Sequence, residues 1–101
     1  MTQQYVILSN EVAPDNGMAP IGSREEIVNL LANFNTAPEN DDMDVLYGPG
    51  ILIELPPDQD PVPQMVLSVI EDEIAWLVIM RISKELKWKI LDPMSGRELK
   101  P

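Results

Sequence analysis

Seven consecutive apolar residues, Ile74-Ala-Trp-Leu-Val-Ile-Met80, form the longest unbroken hydrophobic run of the chain. Their conformation decides the fold. As a strand, residues 74–82 would align Ile74, Trp76, Val78, Met80 and Ile82 on one face. The turn before it would then be Glu71-Asp72-Glu73, which lacks the glycine or asparagine that tight hairpins prefer. As a helix, the same segment places Ala75, Val78, Ile79, Ile82 and Leu86 on one stripe. Asp72 then serves as N-cap, Glu73 faces the positive end of the dipole, and Lys84 and Lys87 face the negative end. The helix reading prevails. It leaves Trp76, Leu77 and Met80 off the main stripe, so that side is either buried against a second neighbour or meets a partner.

The remaining elements are punctuated by proline and glycine. Residues 4–9 read as a short strand, and residues 10–22, with two prolines and two glycines, as a loop. Ser23-Arg-Glu-Glu26 is a capping box that opens a helix whose apolar stripe is Ile27, Leu30, Leu31 and Phe34. Asn35, which tolerates a left-handed cap, and Pro38 end it. A long acidic connection, 36–50, leads to a strand at 51–55. The proline-rich stretch 56–63 cannot supply a run of ladder amides and reads as a loop. A strand at 64–70, the helix, a strand at 88–91 and a turn at 92–96 complete the order, with a basic tail beyond.

Strand, helix, strand, strand, helix, strand within one 101-residue domain predicts an α+β fold. The order resembles the ferredoxin-like βαββαβ sandwich, a four-stranded antiparallel sheet with two helices on one face. The alternative is a strand and helix followed by a β-meander. The sandwich demands a polar outer sheet face, and the sequence does not supply one. Ile51, Ile53 and Leu55 can face the helices while Leu52 and Glu54 face outward. Val66 and Ile70, with Ser68 between them, oppose Met65, Leu67 and Val69, and Lys89 and Leu91 oppose Trp88 and Ile90. In the first strand both sets, Tyr5 with Ile7 and Val6 with Leu8, are apolar. The expected outer face is therefore Tyr5, Ile7, Leu52, Val66, Ile70 and Leu91 around Glu54, Ser68 and Lys89. Each such side chain gains about 1.5–3 kcal/mol on burial, so the set is expected to be covered. Either loops 10–22 and 36–50 fold over it with Val12, Met18, Ile21, Met43 and Val45, or another protein or a second copy does.

Charge and chemistry narrow the function classes. The net charge is −10, with one base, Arg24, against fourteen acids in residues 1–80 and six bases against three acids in residues 81–101. An acidic body repels phosphate backbones, so no nucleic-acid partner is expected. There is no cysteine and no histidine, which removes thiolate chemistry, the commonest general base and the commonest transition-metal ligand. The opening residues show no positive region and only four apolar residues in a row, and no run approaches a membrane span of about 20 residues. A cytoplasmic protein without a membrane partner is expected.

No motif fixes a catalytic, cofactor or metal site. Asn40-Asp-Asp-Met-Asp44 alternates oxygens as a calcium loop does, but Val45 and Ile51 stand where glycine and glutamate are required. Gly48-Pro-Gly50 is followed by neither lysine nor a third glycine and reads as a turn. Glu71, Asp72 and Glu73 are partners of a helix dipole before they are acid–base groups. Asp92-Pro-Met-Ser-Gly-Arg97 is a turn whose aspartate can accept from its own following backbone. Trp76 and Met80 join the outer face as candidate contact residues, because tryptophan and methionine are enriched at interfaces, and Arg97 joins them as a contact for an acidic partner. The expectation is a small, acidic, non-enzymatic interaction or regulatory domain. The alternatives are an acidic inhibitor or immunity-type protein that binds a basic enzyme, and a small carboxylate-based ligand-binding protein or enzyme.

Overall fold

The computed structural model describes residues 3–9, 19–39 and 44–99. Among them run β1 (Gln3–Leu8), α1 (Arg24–Ala32), β2 (Val45–Gly48), β3 (Ile51–Glu54), β4 (Met65–Val69), α2 (Asp72–Leu86), β5 (Lys89–Leu91) and β6 (Glu98–Leu99). The fold is α+β, with two helices and a six-stranded antiparallel sheet in the order β2-β3-β4-β1-β5-β6. The expected four strands are thus extended by one strand at each edge.

The apolar run at 74–80 is helical, which disposes of the meander. α2 buries Ala75, Ile79, Ile82 and Ser83. Its cap is Glu71, one residue before the expected Asp72, and makes no side-chain capping bond. Lys87 ends it at φ 57°. α1 begins on the capping box: Ser23 Oγ accepts from the Glu26 amide at 3.1 Å, and Glu26 Oε1 accepts from the Ser23 amide at 3.2 Å. It ends as a Schellman turn, with Asn35 at φ 57° donating to the Ala32 carbonyl and Thr36 donating to the Leu31 carbonyl.

β2 was hidden in the sequence, because its four residues sit between an acidic run and Gly48-Pro-Gly50. The turn itself creates the strand. Gly48 pairs with Ile51, so Pro49 and Gly50 form a two-residue hairpin loop, with Gly50 at φ 72°. The Gly50 carbonyl accepts from the amides of Ile70 and Glu71 at 2.8 and 3.1 Å, which seats the hairpin on the junction between β4 and α2. The free edge of β2 is bridged in turn by Ala37, which exchanges two backbone bonds with Tyr47. At the other edge, the 92–97 turn forms as its residue types predict. Met94 donates to Asp92 Oδ1 at 2.9 Å, and Gly96 donates to the Asp92 carbonyl at 2.7 Å. The turn returns the chain as β6, where a basic tail was expected.

One face of the sheet carries the core. Tyr5 and Ile7 of β1, Met65 and Leu67 of β4, Ile51 and Ile53 of β3, Leu46 of β2 and Ile90 of β5 pack with Ile27 and Leu31 of α1 and with Ala75, Ile79 and Ile82 of α2. Val62, in the proline-rich loop, is fully buried and bridges to Gly22. Arg24 straps this region: it pairs with Asp44, donates to the Pro56 carbonyl at 2.8 Å, and its amide donates to Asp60 Oδ1.

Candidate interaction surface

The strand registers define the second face row by row. One row runs Val45, Glu54, Val66, Val6, Leu91 and Glu98 across all six strands. On one side of it lie Tyr47, Leu52, Ser68 and Gln4, and on the other Leu8 and Lys89. The apolar members are half-buried at Val6, Leu8, Leu52, Val66 and Leu91, and more open at Tyr47. Ile70, one step past β4, is 59% exposed. The polar members are Gln4, Glu54, Ser68, Lys89 and Glu98. Gln4 Nε2 donates to Ser68 Oγ at 3.3 Å, and Lys89 Nζ lies 4.0 Å from Glu98 Oε1.

Leu52, Glu54, Val66 and Leu91 therefore lie together, as the alternation of their strands predicts, with Ile70 at the margin. Tyr5 and Ile7 do not. Both are buried on the helix side, and the outward residues of β1 are Val6 and Leu8. Sequence could not choose between two apolar sets in one strand; the choice comes from pairing, which puts Tyr5 opposite Leu67 and Ile7 opposite Ile90. Tyr47 was missed with its strand.

Trp76 and Met80 are half-buried and pack against the core cluster. The Trp76 ring meets Tyr5 edge-on at 5.7 Å, so it joins α2 to β1. Of the three residues off the main stripe, it is Leu77 that faces outward, 72% exposed. Arg97 stands exposed in the β5–β6 turn, its carbonyl accepting from the Asp92 amide one residue past Leu91 and its own amide donating to Ser95 Oγ. The two proposed loop shelters divide. Val45 is itself part of the outer row, and Ile21 packs against the helix-side core. Val12, Met18 and Met43 lie outside the described residues.

Other chemistry is sparse. The calcium-like run lies outside the described residues except for Asp44, which pairs with Arg24. No group of three or more acidic side chains among the described residues is placed to hold a metal ion. No helix among them is long and apolar enough to cross a membrane. A groove of about 390 Å³ lies beside Arg24, Glu25, Val28, Asn29 and Asp60. A smaller one of about 210 Å³ runs from Glu54 and Val66 to Pro56 and Pro57, at the rim of the outer sheet face. Burial pushes the Tyr5 phenol above its ordinary pKa, and the carboxylates of Asp92 and Asp72 push it further the same way. None of the family models, curated proteins or solved structures compared with the chain matches it.

Proposed function

We propose that this chain is a small acidic interaction or regulatory domain that works without catalysis, by docking the outer face of its sheet on another protein surface. The observation that carries this reading is the row through Glu54, Val66, Val6 and Leu91. It is a mostly aliphatic surface, on a sheet whose other side already holds both helices. Contiguous apolar patches of this kind usually mark an interface. The lack of histidine and cysteine anywhere in the chain supports a non-catalytic role. As to ancestry of form, the central strands β5-β1-β4-β3 with their two helices support a ferredoxin-like core, to which β2 and β6 would be edge additions.

A photo-crosslinking phenylalanine analogue placed at Leu52 or Val66 tests the reading in the native cell. A discrete product, competed away by excess unlabelled chain, is expected from these positions and not from Glu85 on the exposed side of α2. Equal capture from Glu85, or none from the sheet, would overturn it.

A further inference from the structure

Resting on that reading of the sheet face, we propose that its occupant is a second copy of this chain, stacked sheet on sheet. Three observations point there. The first is local charge. The chain carries −10 overall, yet the charged groups of the face among the described residues are Glu54, Lys89 and Glu98, and the last two pair with each other. Among the described residues, acids that would make two copies repel lie elsewhere, Glu25 and Glu26 in the first turn of α1 and Asp72 and Glu73 in that of α2.

The second is symmetry. The middle of the six-strand sheet falls between β4 and β1, so β3 and β5 are equally far from it. A twofold axis along the strands at that midline sets Val66 over Val6 and Ser68 over Gln4 of the other copy. It also sets Glu54 over Leu91, two residues along β5 from Lys89 on the same face. Stacked sheets lie about 10 Å apart, within the combined reach of a glutamate and a lysine from opposite sides. Each Glu54 thus gains a cation from its partner, twice per dimer. The third is shape. Valines and leucines standing on a pleated surface are the side chains with which two sheets interdigitate in β-sandwiches.

Sedimentation equilibrium of the full chain reads the outcome. A dimer of twice the 11.3 kDa chain mass is expected, tightening as salt is raised because the acidic bodies are screened from each other. Val66→Lys is expected to weaken it by about 100-fold or more, since the substitution enters the interface twice. That variant lowers the net charge, so loss of the dimer could not be laid to repulsion between bodies. Unchanged far-ultraviolet circular dichroism shows that it folds. Glu54→Lys and Lys89→Glu should each weaken pairing, and the double exchange, made together with Glu98→Lys so that residue 89 keeps an opposite charge beside it in its own chain, should recover most of it. A strict monomer at about 0.5 mM, a concentration well above that of a specific dimer, overturns the proposal. So does a dimer indifferent to Val66→Lys, or an exchange that recovers nothing. A monomer that still crosslinks through Leu52 to a different protein leaves the docking reading standing and removes only the second copy.

Discussion

At the residue scale, Gly50 and Tyr5 carry more than their size or polarity suggests. A Cβ on Gly50 would stand 2.8 Å from the Glu71 carbonyl oxygen and 3.0 Å from the Ala75 amide, at a φ of 72° that L side chains rarely adopt. Both neighbours are backbone and cannot swing aside. Gly50→Ala is expected to cost about 2–3 kcal/mol, read as a lower urea midpoint. Tyr5 is 6% exposed and keeps its proton more tightly folded than unfolded. A group raised in this way contributes fully below its unfolded pKa of 10.0 and loses that contribution as pH climbs through the folded value. Urea titrations from neutral to strongly alkaline pH should therefore show wild type losing stability more steeply than Tyr5→Phe above pH 10. Parallel curves would mean that the phenol is solvated.

At the element scale, both helices are fixed by local sequence, whereas the edge strands are fixed by what they touch. α1 has its capping box and its Schellman turn, and both are legible in Ser23, Glu26 and Asn35. The connections beside it are tied to its first residue. Arg24 holds Asp44 before β2, the Pro56 carbonyl after β3 and, through its amide, Asp60. Arg24→Met keeps the stem of the side chain and the amide bond to Asp60, and removes the guanidinium's bonds to Asp44 and the Pro56 carbonyl. A loss of about 1–2 kcal/mol is expected, with faster amide exchange at residues 55–62 than at β1. β2 and β6 have four and two residues, too few to show a period of two. They are strands because Pro49-Gly50 and the 92–97 turn fold the chain back onto β3 and β5.

At the scale of the whole molecule, the −10 charge is a fold-wide repulsion that no single pair offsets. Salt should relieve it. Raising sodium chloride from about 20 to about 200 mM at neutral pH is expected to raise the urea midpoint, and a flat response would show that the charges are too far apart to matter. The same screening should tighten a dimer, whereas it would loosen a complex with a basic partner. The sign of the salt effect thus separates two ways of covering one face.

By itself the sequence determined which segments are helical, where the chain turns, and that both sides of the sheet would be apolar. Those properties rest on capping, φ preferences and periodicity, all local along the chain. Only the tertiary structure decided which side of β1 faces the helices, because Tyr5 with Ile7 and Val6 with Leu8 are equally hydrophobic. It also decided that Trp76 turns inward to Tyr5 while Leu77 stays out, and that the hairpin at Gly50 completes the sheet edge. Each of those choices depends on a neighbour distant in sequence, whose position no local pattern encodes.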